Sequence, residues 1–277
     1  MSWTLSVNIE GKRFKLRSAE DAEIENFAIT KYKFKNGFGI GTYQNDVVSS
    51  LYEPGSVFKA VTTAIGIETG EIKPDDVYYD KWYVELDIWA GIKRRISNLS
   101  SNCIGQHSFL HGLNWSCNVA MINIVERIGR ALFYQYLVDF GFNSKTNITL
   151  DGEAFAQIGN YEKWSRTQLF TMSFGQGINV TMLQMAAAYS VIANWGIYMQ
   201  PYIVESLRYP DGKVVETLPT PLRRVIKEET AKQVAAMLVD GVRNGFAKAG
   251  WVLGYTVAGK TGTSQIAFRW GYEVGEV

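Results

Sequence analysis

The chain has 277 residues, with 28 basic against 27 acidic side chains and a formal charge of +1. A balance this close to zero lacks the long-range field on which nucleic-acid and anionic-membrane binding depend, so no nucleic-acid partner is expected and any specific site must come from local residue placement. Hydrophobic residues make up 47% of the chain, including 8 Trp, 15 Tyr and 14 Phe, which provides for a buried core and excludes a disordered chain. The two cysteines, Cys103 and Cys117, are too few for a disulfide framework or a four-ligand zinc site, and they leave the compartment open.

Residues 1–15 mix Glu10, Lys12, Arg13 and Lys15 among apolar positions and contain neither the apolar run of a signal peptide nor a membrane anchor. Pro54-Gly55 precedes Val57, Val61, Ala64 and Ile65 at helical spacing, which predicts a helix from near Ser56 to Gly70. A second helix is expected after Ser116, with Val119, Ile122, Val125, Ile128, Leu132 and Phe140 on one face and Gly141 as its stop. Residues 167–204 carry no charge, which raises the question of a membrane span. Thr181 as N-cap and Gly196 as stop leave a helix of about 13 residues there, and at about 1.5 Å each these fall short of ~30 Å of hydrocarbon, so a buried core helix is expected instead. Residues 202–209 and 214–218 flank Pro210-Asp211-Gly212 as a hairpin, and residues 228–242 read as a helix with an acidic first turn. Helices come first and strand signals late, an order that predicts an α+β fold with an antiparallel sheet flanked by helices.

Three short motifs carry potential chemistry. In Ser56-Val57-Phe58-Lys59 the serine and lysine lie one helical turn apart and share a face. Pro54-Gly55 places Ser56 at a helix N-terminus, where free N–H groups stabilise a developing oxyanion. Burial of Lys59 beside Phe58 and Val61 would lower its pKa and make it a base able to activate the serine. Ser116-Cys117-Asn118 opens the second helix; taken alone, Ser116 is simply an N-cap. Lys260-Thr261-Gly262-Thr263 precedes a β-branched and aromatic run and reads as a strand, with a cation and a glycine that admits a close substrate backbone.

Competing patterns are weaker. Residues 254–261 fit the phosphate-loop string G-x-x-x-x-G-K-T, but Gly262 and the segment to Trp270 disfavour the helix that such a loop requires. His107 and His111 have metal-ligand spacing without an HExxH glutamate or a third ligand, and they read as ordinary histidines. No G-x-S-x-G elbow marks a nucleophile for a serine-histidine triad. Four N-x-[ST] strings, at Asn98, Asn114, Asn147 and Asn179, are no more than chance predicts.

An S-x-x-K, an S-x-N and a K-T-G in that order form the signature set of penicillin-binding proteins and serine β-lactamases. The flanking segments Tyr52-Glu53-Pro54-Gly55-Ser56, Asp151-Gly152-Glu153, Ser173-Phe174-Gly175-Gln176-Gly177 and Ala258-Gly259-Lys260-Thr261-Gly262-Thr263 resemble class B penicillin-binding proteins, the monofunctional peptidoglycan transpeptidases. The resemblance runs from about Gln44 to Phe268. It implies an antiparallel sheet flanked by helices with a mostly helical subdomain, a transpeptidase domain over residues 44–277, and a poorly matched segment over residues 1–43. It further implies that Ser56 attacks the D-Ala-D-Ala stem peptide with Lys59 as proton acceptor and Ser116 as relay. Asn118 would hold the donor peptide, and Lys260, Thr261, Gly262 and Thr263 would line the substrate strand. The N–H groups of Ser56 and Thr263 would form the oxyanion hole. Peptidoglycan stem peptides, β-lactams and other cell-wall synthesis proteins are the implied partners. No cofactor or metal is implied, and the implied location is the outer face of the plasma membrane. Alternatives on the same scaffold are a β-lactamase or D,D-carboxypeptidase, or a non-catalytic binding module. The family has further strands and a helix beyond the Lys260 strand, so a truncated domain is expected.

Overall fold

The structure, a computed structural model, describes residues 5–9, 12–16, 45–89, 92–263, 267–268 and 271–272. Two compact units divide the chain, Met1–Gln44 and Asn45–Val277. In the first, β1 (Leu5–Ile9) and β2 (Lys12–Leu16) pair antiparallel, with Leu5 opposite Leu16.

The second unit holds the core, and its centre is helical. A short helix α1 (Asp46–Ser49) leads to a 3-10 turn over Gly55–Phe58, which runs directly into α2 (Lys59–Glu68). Every residue of α2 from Lys59 to Gly66 is buried, so this helix has no solvent face over its first two turns. Helix α3 (Phe109–Asn114) turns sharply into α4 (Asn118–Ile128), which crosses α2 so closely that a Cβ on Gly66 would lie 2.7 Å from the Ile124 side chain. Thr62 ties α2 to the end of α6 (Arg166–Ser173) by donating to the Ser173 carbonyl at 2.7 Å. Such a buried hydroxyl needs its partner, because leaving it unpaired costs about 1–3 kcal/mol.

The single helix expected from Ser116 to Phe140 is two. Gly129, at φ 76, ends α4, and α5 (Arg130–Asp139) starts immediately after it. An apolar period spans the break, and Leu132, placed on that face by spacing, is 41% exposed. The uncharged stretch forms α7 (Met182–Ala193), with Thr181 and Gln184 in a reciprocal capping box. Its length and buried face are those of a core helix, and no helix among the described residues is long and apolar enough to cross a membrane. Helix α8 (Glu228–Asn244) follows its acidic first turn as the sequence predicts.

Among the described residues all strand pairs in this unit are antiparallel. They are β3 (Val77–Asp80) with β6 (Gly105–Ser108), β4 (Tyr83–Trp89) with β5 (Ile92–Ser97), β7 (Ile197–Met199) with β10 (Pro221–Arg224), β8 (Ser206–Arg208) with β9 (Val214–Glu216), and β11 (Ala267–Phe268) with β12 (Gly271–Tyr272). The β8–β9 hairpin turns at the expected Pro210-Asp211-Gly212. Helices plus antiparallel pairs make the fold α+β, although among the described residues the strands remain two-stranded ladders rather than one broad sheet. The Lys260 motif, expected in a strand, belongs to no strand from Gly259 to Thr263, and Ser264 to Ile266 lie outside the described residues.

Cys103 and Cys117, too few for a framework, bond to each other. The α3–α4 turn places their Cα atoms 5.7 Å apart, within disulfide reach, which the chain separation of 14 residues does not reveal by itself. A closed loop of this length contributes about 3 kcal/mol by chain-entropy reasoning. Reduction with dithiothreitol is therefore expected to lower the unfolding free energy by about that amount in urea titrations, and an unchanged midpoint would show that the loop is ordered by its neighbours alone.

Candidate active site

The approach to Ser56 is built by backbone contact. Gly55 has φ 58 and donates its N–H to the Gly175 carbonyl at 2.9 Å; Gly175 has φ 82, and a Cβ there would sit 2.1 Å from the Gly55 carbonyl oxygen. Only two glycines permit this approach. Tyr52 and Val180 exchange two N–H bonds at 3.0 Å, and Glu53 accepts from the Gly177 N–H at 2.8 Å, so residues 52–55 are stitched to residues 175–180. On the other flank the hydroxyl of the half-buried Tyr189 donates to the Val57 carbonyl at 2.8 Å, and burial raises its pKa so that it stays protonated. These contacts fix Ser56, which is 6% exposed, in the second position of the 3-10 turn.

Lys59 starts α2 and is fully buried. Its ammonium donates to the Ser116 carbonyl at 2.6 Å and to the Ser116 hydroxyl at 3.0 Å. From the opposite side Lys260 donates to the same hydroxyl at 2.9 Å, and to the carbonyl and hydroxyl of Thr261 at 3.1 and 3.3 Å. Among the described residues no carboxylate lies within salt-bridge distance of either lysine. Burial therefore drives the Lys59 pKa well below that of a free lysine, and the nearby positive charge of Lys260 lowers it further. Desolvation alone lowers Lys260 to about 8. No hydrogen bond joins Lys59 to the Ser56 hydroxyl among the described residues, so the direct contact of base and nucleophile expected from their spacing is absent in this geometry.

Ser116 is not the N-cap its position suggests. It has φ 58, a left-handed conformation that costs a non-glycine residue about 1–3 kcal/mol, and the cap of α4 is Cys117. In this conformation the Ser116 hydroxyl meets the two lysines, while the disulfide of Cys117 anchors the following residue. Asn118, half-buried, donates from its side chain to the Ser97 carbonyl at 2.8 Å, which places it against the end of β5.

The Lys260 segment closes the third side. Gly262 passes Val57 so closely that a Cβ would lie 2.9 Å from the valine methyl. The Ser56 N–H donates to the Thr263 carbonyl at 3.4 Å, so one of the two expected oxyanion donors is engaged with its neighbour. The bond is long, and it must break before an anionic oxygen takes that position. Thr261 and Thr263 are exposed. Thus Ser56, Lys59, Ser116, Lys260, Thr261, Gly262 and Thr263 lie in one contact network, with Asn118 beside Ser116. Glu53, Tyr189 and Gly175 were not singled out as site residues from the sequence; the segments 52–56 and 173–177 held two of them, and nothing marked Tyr189.

The other motifs sit elsewhere. His107 and His111 stack at 3.9 Å, with their Nε2 atoms on the carbonyls of Ile104 and Asn102. Among the described residues no group of three potential ligands could hold a metal ion. No helix follows Lys260-Thr261 among the described residues, so the phosphate-loop string lacks its structural partner.

A serine on a helix-leading turn, a buried lysine one turn on, and a second serine whose hydroxyl meets both that lysine and Lys260 make an arrangement of the penicillin-binding and β-lactamase type. Residues 16–273 match the family described as the penicillin binding protein transpeptidase domain, and the chain belongs to that family. The stage V sporulation protein D of Bacillus subtilis is 36% identical over 225 residues, covering 80% of this chain and 34% of that protein. The penicillin-binding protein PbpB of Mycolicibacterium smegmatis is 35% identical over 228 residues, with 80% and 34% coverage. This chain thus spans about a third of the length of the curated relatives it matches. Among solved structures, penicillin binding protein 3 of Mycobacterium tuberculosis complexed with aztreonam superposes with a TM-score of 0.74 at 31% identity, over 81% of this chain and 51% of that one. The D,D-transpeptidase domain of a peptidoglycan glycosyltransferase from Eggerthella lenta gives 0.76 at 26% identity, over 87% and 60%.

Two expectations follow from the geometry. Replacing Gly175 with alanine forces apart two backbones that touch, and is expected to cost about 3 kcal/mol or more in denaturant titrations; a loss below about 0.5 kcal/mol would show that the approach is not needed. Lys260→Met removes the like charge beside Lys59, so the Lys59 side chain should titrate at higher pH, followed by NMR of isotope-labelled lysine; a lower or unchanged midpoint would mean that the two amines do not interact.

Proposed function

We propose that the chain carries the acyl-transfer site of a peptidoglycan D,D-transpeptidase of bacterial cell-wall synthesis. The observation that carries this reading is the Ser116 hydroxyl shared by Lys59 and Lys260, which draws three distant segments into one proton-handling cluster beside Ser56.

In this reading the neutral form of Lys59 accepts the Ser56 proton as Ser56 Oγ bonds to the penultimate D-Ala carbonyl carbon of a stem peptide. The oxyanion displaces the Thr263 carbonyl from the Ser56 N–H and is held there and by the Thr263 N–H. Collapse breaks the C–N bond, and the leaving D-Ala amine takes its proton from Lys59 through Ser116. The product is an ester on Ser56. The amine of a second stem peptide then attacks that ester, gives its proton to the same relay, and returns Ser56 to its hydroxyl. Asn118 holds the donor peptide, while Lys260, Thr261 and Thr263 receive its terminal carboxylate, with Gly262 admitting its backbone. A β-lactam opens in the first step but keeps its amine tethered, so its ester persists. We place this chemistry at the outer face of the plasma membrane, in company with other cell-wall synthesis proteins. Neither metal nor organic cofactor enters the scheme.

One observation favours a second reading. The engagement of the Ser56 N–H by Thr263 suits a non-catalytic module whose site stays closed. Incubation with a fluorescent penicillin separates the two: a lasting adduct on Ser56, absent in Ser56→Ala, is expected of the transpeptidase, and an unlabelled folded protein would favour the closed module. Rapid turnover without a persistent adduct would point instead to a β-lactamase or D,D-carboxypeptidase.

The depressed Lys59 pKa sets the sign of the pH dependence. Its neutral form gains population as pH rises, and because burial lowers the pKa this gain begins far below the range of a free lysine. The acylation rate should climb with pH through neutrality, and Lys59→Arg, which stays protonated, should be slower by about 10²–10⁴-fold with a flat profile. A variant with the wild-type slope would remove Lys59 from the role of base.

A further inference from the structure

Helix α4 begins without a cap of its own. Its N-cap residue, Cys117, makes no side-chain bond to the first turn, and its sulfur is committed to Cys103. The N–H left open finds its acceptor elsewhere in the chain, because Asn98 Oδ1 accepts from the Val119 N–H at 3.1 Å. Val119 is the second residue of the helix, the position whose N–H an N-cap side chain ordinarily satisfies. Asn98 lies just past β5, is 3% exposed, and its own N–H donates to the Trp82 carbonyl at 2.9 Å.

Asp80, which is 0% exposed, fixes the orientation of that amide. Its Oδ1 accepts from Asn98 Nδ2 at 2.9 Å and from the Trp82 N–H at 2.8 Å. A carboxylate only accepts and a backbone N–H only donates, so the Asn98 amide has one orientation that satisfies both neighbours. The titratable groups facing Asp80 are the Tyr78 hydroxyl and the His107 ring. Two residues of α4 or its entrance meet this same edge: Asn98 caps Val119, and the adjacent Ser97 carbonyl receives the Asn118 side chain at 2.8 Å.

We propose that Asp80 and Asn98 are positioning residues of the acyl-transfer site: they act as an N-cap in trans that sets the first turn of α4, and through it Asn118 and the Ser116 hydroxyl between the two lysines. This rests on the transpeptidase reading for its catalytic consequence, but the capping itself does not. Neither residue belongs to the three motifs. The Asn98-Leu99-Ser100 string, which chance alone accounts for in the sequence, contains a side chain that is buried and hydrogen-bonded at both of its ends.

The swapped pair tests the assignment. Asn98→Asp puts two carboxylates face to face in a buried site, so near neutral pH the cap should be lost and penicillin acylation of Ser56 should fall by about tenfold or more, since small misplacements at a site cost up to about 10²-fold. Relative to wild type at the same pH, the rate should recover as the pH is lowered and one carboxylate takes a proton. Adding Asp80→Asn restores one donor and one acceptor in reversed order, and the double variant should return to within about threefold of wild type without the acid recovery. Hydrogen exchange of the Val119 amide supplies a readout that needs no acylation: Asn98→Ala should speed it by about tenfold or more in protein that remains folded. The proposal is overturned if Val119 protection is unchanged in Asn98→Ala, if the double variant acylates no faster than Asn98→Asp, or if the single variant lowers the melting temperature while its folded fraction acylates at the wild-type rate. A wild-type protein that takes no penicillin sinks the transpeptidase reading instead, and the exchange experiment still decides the capping.

Discussion

The site depends on one hydroxyl between two amines. Ser116 Oγ accepts from Lys59 at 3.0 Å and from Lys260 at 2.9 Å, and neither lysine has a carboxylate partner among the described residues. Burying a cation without an anion is unfavourable, and the protein offsets it with neutral acceptors: the Ser116 carbonyl for Lys59 and the Thr261 oxygens for Lys260. The same lack of counter-charge lowers both pKa values and makes a neutral amine available near neutral pH. A carboxylate placed here for stability would abolish the property the chemistry needs.

Several packed segments of the second unit hold these groups at contact distance. Helix α2 is buried over its first two turns, which anchors Lys59 from behind. The Gly55–Gly175 approach and the Tyr189 bond to Val57 fix the turn that carries Ser56. The left-handed Ser116, the disulfide of Cys117 and the Asn98 cap together set the start of α4. These supports come from segments spread between residues 55 and 189, so the site is a property of the packed unit rather than of its three motifs.

What the sequence made legible follows from the range of each signal. Thr181 with Gln184 marks α7, the glutamates at 228 and 229 mark α8, and Pro210-Asp211-Gly212 marks a hairpin, because caps and turns are local chemistry. The motif order picked out residues that the fold brings together. Hidden features were of two kinds. Gly129 breaks a helix through which the apolar period continues unaltered, so periodicity could not see it. The Cys103–Cys117 bond, the Tyr189 contact and the Asn98 cap each join residues whose nearness exists only after folding, and Ser116 looked like a cap because strain at a single φ leaves no trace in residue type.

The Lys260 segment differs in kind from the other walls. Ser56 stands on a 3-10 turn that leads into a buried helix and Ser116 in the turn between α3 and α4, whereas among the described residues backbone bonds at 3.3 Å (Gly259 N–H to Leu238) and 3.4 Å (Ser56 N–H to Thr263), with the Lys260 side chain, tie residues 259–263. Held by these bonds, the cleft would work like a vice with a cast anvil and a jaw on a looser screw. A ligand gripping only the anvil leaves Thr263 where it lies, while one long enough to reach across draws the jaw into line and spends part of its affinity doing so. Selectivity for extended peptides over small amides would then reside in the slackness of one wall, and tightening that wall would trade discrimination for speed.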